Sequence, residues 1–199
     1  MSEQTVMRKM FEKHGGIMKT KELAEQGIYY KKLHKLIDEG EIEQIKHGFY
    51  QYAYTENYSE IAVIFKLFPE AVICMESAAD IYGYTQRTPS AWHLAVPSKS
   101  SRRKYDIDYP IIKVHFVDET KFYTGIDEID VEGTKIKIYD RERTVCDFLL
   151  HRNKIDPEVF NETIRGYLND TNKRTAVLAE YGTKLHVAKK IKEVIGIWL

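Results

Sequence analysis

The sequence predicts an α+β protein, and three observations carry that prediction. The first fifty residues follow the order helix, helix, helix, hairpin; the middle mixes short apolar strand-like runs with one short helical pattern; the last third is helical. The first of these orders is that of a winged helix-turn-helix. The expected fold is therefore an N-terminal winged helix-turn-helix followed by a mixed α/β domain with a helical C-terminal third, with domains at 1–58 and 59–199.

In the first part, Val6, Met7, Met10 and Phe11 recur at helical spacing, Ser2 stands where a cap belongs, and Gly15-Gly16 ends the run. A short second helix carries Leu23 and Ala24, with Thr20 as its expected cap and Gly27 as its stop. "YYKKLHKLIDEG" puts Leu33, Leu36 and Ile37 on one stripe, and "EIEQIKHGFYQYAY" alternates and turns at Gly48. Residues 54–58 read as a linker. Ser59 then opens a helix bearing Ile61, Ile64, Phe65 and Phe68, stopped by Pro69 and expected to bridge the domains.

In the second part, "AVICM", "AWHLAVP" and "IIKVHFV" read as strands, "ESAADIYGYT" as a helix closed by Gly83, and "DEIDVEGTKIKIYD" as a hairpin turning at Glu132-Gly133. "RERTVCDFLLHRN", "PEVFNETIRGYLND", "KRTAVLAEYG" and "KLHVAKKIKEVIGIWL" supply the helical third, with Pro157 in a first turn and Trp198 packing into a core.

Composition bounds the chemistry. The chain has 199 residues, 43% of them hydrophobic, with 30 basic against 30 acidic residues, so contact with a polyanion must come from local patches. Cys74 and Cys146 lack metal-ligand spacing and read as buried small residues in a reducing compartment. With no signal peptide and no apolar run near the ~18 residues of a membrane span, a soluble cytoplasmic protein is expected. Neither a cofactor nor a metal is expected.

The strongest local charge lies on the third helix. With Leu33 pointing to the core and about 100° per residue, Lys31 and Lys35 point outward and Lys32 and His34 occupy the shoulders; no acid precedes Asp38. That is how a recognition helix for a major groove is dressed. Tyr29 and Tyr30 open the helix, but the wheel places both toward the core. Lys19, Thr20 and Lys21 open the second helix, whose amides are expected to hold a phosphate, and Lys46 and His47 sit at the wing tip. Four phosphate-neutralising lysines (Lys19, Lys21, Lys35, Lys46) would give a log–log salt slope of roughly −3.6 per protomer. The competing readings are a solvated lysine face and a protein-docking winged helix.

The runs "GGIMKTKELAEQGIYYKKLHKLIDEGEIEQIKHGFYQ" and, much later, "IKIYDRERTVCDFLLHRNKI" together resemble the AbiEi-type antitoxins of abortive-infection toxin–antitoxin systems, which confer phage resistance. The second run holds the family's helix start in Glu142, Arg143, Thr144 and Asp147. The resemblance implies an autoregulating transcription repressor that binds inverted repeats in its own promoter, with a dimer on the DNA as a candidate form, and a second domain that opposes a nucleotidyltransferase-like toxin, whether by contact or through its target. It implies no enzymatic activity. The wing departs from the family's usual Arg-Gly, reading His47-Gly48-Phe49-Tyr50, and an unperturbed histidine is mostly neutral at pH 7.

The second part offers three further basic clusters. Lys99, Arg102, Arg103 and Lys104 lie in one loop and read as a secondary contact to a polyanion or as solvated surface. Lys173 and Arg174 form the second. Lys184, Lys189, Lys190 and Lys192 are expected to share one helix with Leu185, Ala188, Ile191 and Ile195, as its wet face. In the family motif, Arg143 and Asp147 can pair at i,i+4, partly buried, to fix how the helical third docks. Two rival functions remain. A regulator whose C-terminal domain senses a small ligand would show a deep apolar pocket beneath the strands. A metal-dependent nuclease would use Asp127, Asp130, Glu132 and Lys135, but their spacing argues against it.

Overall fold

The structure, a computed structural model, describes residues 3–54 and 59–196. The Ser2 cap, the linker at 55–58 and Trp198 lie outside them. Packing divides the chain into two compact units, Met1–Pro69 with Ile107–Pro110, and Glu70–Asp106 with Ile111–Leu199.

The first unit runs α1 (Glu3–Lys13), β1 (Ile17–Lys19), α2 (Thr20–Glu25), α3 (Tyr30–Asp38), β2 (Ile42–Lys46), β3 (Phe49–Tyr52) and α4 (Glu60–Leu67). The strands form an antiparallel sheet in the order β1-β3-β2, which completes a winged helix-turn-helix. Its core gathers Met7, Phe11, Leu23, Ile28, Leu33 and Leu36. Gly27 makes the turn between α2 and α3 possible: at φ 77° its amide donates to the Ala24 carbonyl while the next amide, of Ile28, reaches back to Leu23.

Several expectations change here. Val6 is 51% exposed, because α1 presents only the Met7–Phe11 stripe to β3 and Val6 lies off it. Strand β1 has no counterpart in the sequence pattern, since three residues are too few to show a period of two. Thr20 does not cap α2. Its amide and hydroxyl both donate to the Gly48 carbonyl, and Lys19 takes the cap position. Helix α4 belongs to the first unit, where Lys66 pairs with Glu22 at 3.1 Å. Ser59 holds its N-cap position without a side-chain capping bond.

The second unit is built on a five-stranded sheet in the order β6-β5-β4-β8-β7. Its elements are β4 (Val72–Ile73), α5 (Met75–Ile81), β5 (Trp92–Pro97), β6 (Ile112–Val117), α6 (Glu119–Phe122), β7 (Ile126–Val131) and β8 (Thr134–Tyr139). The helical third follows as α7 (Arg141–Leu150), α8 (Pro157–Asn169), α9 (Thr175–Lys184) and α10 (Ala188–Val194). Pairs β4–β8 and β5–β6 are parallel, β4–β5 and β7–β8 antiparallel. The β7–β8 hairpin turns at Glu132-Gly133, both at positive φ, as a two-residue loop requires.

Gly182, expected to end a helix, lies inside α9. A Cβ there would stand 2.6 Å from Ile191 Cδ1, so its bareness serves the contact with α10. The break falls instead at 185–187, which separates Lys184 and Leu185 from the helix carrying Ala188 and Ile191. Both cysteines are buried and unpaired.

Candidate nucleic-acid interface

Helix α3 buries Leu33 and Leu36 and leaves Lys31, Lys32, His34 and Lys35 exposed. Lys35 lies 3.5 Å from Glu39 in an exposed i,i+4 pair, an interaction weak enough to yield to a phosphate. Tyr29 and Tyr30 do not face the core; they are 67% and 79% exposed. Tyr29 occupies the N-cap position at an extended φ/ψ, so the helical wheel does not govern it, and Tyr30 leans on His34 with ring centroids 4.3 Å apart. No side chain caps α3, and Tyr29, Lys31, Lys32 and Lys35 line an open groove of about 530 Å³ along it. The face thus combines cations with two exposed aromatic rings, and Glu39 and Glu41 also line the groove.

The N-terminus of α2 offers less than expected. The Lys19 amide donates to Glu22 Oε2 at 2.7 Å and the Thr20 amide to the Gly48 carbonyl at 3.0 Å, so these two are already satisfied. Burial raises the Glu22 carboxyl, but the Lys19 amide and the Lys66 ammonium outweigh it and hold its pKa below the usual value. The Lys19 and Lys21 side chains remain exposed, Lys19 near the Phe49 ring. At the wing, Gly48 (φ 78°) makes the turn and His47 is exposed at the tip. Lys46 does not project with it. Its ammonium sits 4.5 Å from the centroid of Phe68, because a bulge between Gln44 and Lys46 resets the strand.

In the second unit the charged motifs turn inward. Glu142, Arg143, Thr144 and Asp147 are all buried. Arg143 Nε donates to Asp147 Oδ1 at 2.9 Å, and Nη1 to the carbonyls of Lys121 and Thr124 at 2.6 and 2.9 Å. Its guanidinium lies over the Tyr139 ring, and Thr144 donates back to the Tyr139 carbonyl. Glu142 accepts the amide, Nε and Nη2 of Arg174, and Arg174 Nη2 also reaches Asp140. Asp140 in turn caps α7 by accepting the Arg143 amide. Sequence reading missed Asp140 and Arg174 as parts of this network. The Asp immediately before "RERT" was the available signal, being a common helix cap.

The remaining basic clusters hold exposed ion pairs of the same weak kind as Lys35–Glu39. Lys99 pairs with Glu119 at 2.8 Å, Lys104 with Glu70 at 2.6 Å, and Arg102 stacks on Phe116, leaving Arg103 exposed on the loop. Lys190 is not simply solvated: it donates to the Leu149 and Leu150 carbonyls at the C-terminal end of α7. Asp130, a nuclease candidate, accepts the Gly133 amide and holds the hairpin turn. No group of three or more metal-ligating side chains forms among the described residues, and none of their helices is long and apolar enough to cross a membrane.

No curated protein matches the chain. Residues 6–53 match the family described as transcriptional regulator, AbiEi antitoxin, and they cover the winged helix-turn-helix from α1 through β3. Over these residues the chain is similar to the N-terminal domain of the AbiEi-type antitoxins, described as transcriptional regulators.

Proposed function

We propose that the protein is an antitoxin that represses its own promoter by binding inverted repeats through the first unit, while the second unit counteracts a nucleotidyltransferase-like toxin. The observation that carries this reading is the exposed basic face of α3 on a domain matched to that family. Lys19, Lys21 and Lys35 supply phosphate contacts, which set affinity and register; Lys31, Lys32, His34 and the two tyrosines reach base edges, which set sequence preference. An inverted repeat demands two copies related by its two-fold axis, so the bound form is a dimer. With Lys46 turned onto Phe68 the phosphate count falls to three, and the salt slope to about −2.7 per protomer.

The test is a fluorescence-anisotropy titration of the full chain against its own upstream DNA and a scrambled duplex, beside the double variant Lys31→Ala/Lys35→Ala. Preferential binding of the upstream duplex, lost in the variant, is expected. Equal binding of both duplexes overturns the operator assignment. The same variant expressed with the neighbouring toxin should lose repression and keep neutralisation; loss of both would mean that the two activities share the α3 face.

A further inference from the structure

We infer that the second unit holds a binding site for a small neutral planar molecule presenting a carbonyl acceptor beside an N–H donor, the edge of a carboxamide or a lactam. The site is a cavity of about 250 Å³ against β5 and β6, walled by Met75, Ala95, Phe116, Leu150 and Leu185. Pockets for drug-sized ligands span ~300–1,000 Å³, so the occupant is the size of a single ring.

Its polar edge is built by α7. Arg143 and Asp147, with side chains 3% and 10% exposed, both line the cavity. Arg143 uses Nε and Nη1 within the protein, and Asp147 uses Oδ1. Among the described residues, Arg143 Nη2 and Asp147 Oδ2 make no hydrogen bond, which leaves a donor and an acceptor at the wall of a largely apolar chamber. Among the described residues the side-chain polar atom sealed from solvent without a partner is Thr163 Oγ1, so Nη2 and Oδ2 keep contact with solvent, and a ligand of complementary donor and acceptor pattern would take the place of that water.

The chemistry selects against ions. Arg143 and Asp147 neutralise each other, and the lining adds one further acid, Asp118, and one further base, Lys121. Burial, with the Lys113 charge next, pushes His115 down to about 4, and burial lowers His151 as well, so the two histidines of the wall are uncharged at neutral pH. An anion would meet Asp147 and a cation Arg143. A carbonyl can instead accept from Nη2 while its neighbouring N–H donates to Oδ2, with the ring against Phe116 and Tyr139.

The experiment titrates the full chain, methyl-labelled at Met and Leu, with benzamide (carboxamide) and 2-pyridone (lactam), and reads the Met75, Leu150 and Leu185 methyl resonances by NMR. Acetophenone, which lacks the N–H donor, and benzoate, which is anionic, are the controls. Saturable shifts are expected with one or both amides, at least tenfold tighter than with either control, and the tighter amide identifies the ligand class. Arg143→Lys should weaken binding at least tenfold; Ala95→Met, a second variant that fills the cavity and leaves Arg143 and Asp147 in place, should abolish the shifts while the remaining spectrum stays native. No saturable shift with either amide, equal binding of acetophenone, or undiminished binding by a folded Ala95→Met protein overturns the assignment.

Discussion

In the first unit the lysines of α3 stand in solvent over an apolar core of Met7, Phe11, Leu23 and Leu33. In the second, a helix of similar charge density, α7, buries Glu142, Arg143 and Asp147. Among the described residues, every buried polar or charged side chain belongs to the second unit. The difference lies in what surrounds each helix. One face of α3 meets the winged-helix core and the rest meets water, whereas α7 is enclosed by α5, α8, α9 and α10. Charge on an open face costs nothing to keep hydrated and is free to meet a polyanion. Charge inside an enclosed helix must be paired and hydrogen-bonded, and its partners then fix how the surrounding helices dock.

The sharpest way to break this contrast is to remove one member of the enclosed pair. Asp147→Ala leaves the Arg143 guanidinium buried without its counter-ion, and urea unfolding should show a loss of about 3–5 kcal/mol. Lys35→Ala on α3 serves as the matched control, expected to change stability by less than ~0.5 kcal/mol. A similar effect of the two would erase the distinction between the helices.

Packing in the second unit gives the next largest effect. Gly166 of α8 lies against Tyr84, where a Cβ would come 2.8 Å from the Tyr84 Cα, a backbone atom that cannot rotate away. Gly166→Ala should cost about 1–3 kcal/mol by overpacking, measured by thermal unfolding; a neutral result would show that α8 can shift.

The enclosed histidines add a pH signature. Burial, then the facing His115 and Lys113, pushes His93 down to about 3, and His115 falls to about 4. Their rings are hydrogen-bonded at 3.2 Å. In the unfolded chain both titrate near ~6.5. Above that value neither state is protonated and their full contribution is present. As pH falls from 6.5 toward 4, only the unfolded chain takes up protons, and stability is lost. Discounting the half-exposed His115 for solvent screening, the loss between pH 6.5 and 5 should be roughly 2 kcal/mol, and His93→Leu should flatten it. The smallest effect belongs to the first unit's surface. Val6→Ser, at a position 51% exposed, should change the midpoint of unfolding within the equivalent of ~0.5 kcal/mol.

The basic face of α3 could be read from the sequence because a single helix with one apolar stripe sets its own orientation. Leu33 and Leu36 point inward, and the positions of Lys31, Lys32, His34 and Lys35 follow. Tyr29 escaped that reading because it precedes the helix, where the 3.6-residue period has no authority. Lys46 escaped it because a bulge shifts the register and Phe68, far along the chain, supplies the ring over which it lies.

What the sequence by itself determined, then, was the order of elements apart from the short β1 and α6, the winged-helix module and the exposed face of its third helix. All of these follow from local periodicity and from turns such as Gly27 and Glu132-Gly133. Only the tertiary structure decided which charges are buried. Arg143 with the Lys121 and Thr124 carbonyls, Glu142 with Arg174, and Lys190 with the end of α7 are brought together across 19 to 41 residues of chain. The cavity beside Arg143 and Asp147 was undetermined for the same reason: β5, β6, α5, α7 and the segment after α9 contribute its walls, and no local pattern records their meeting.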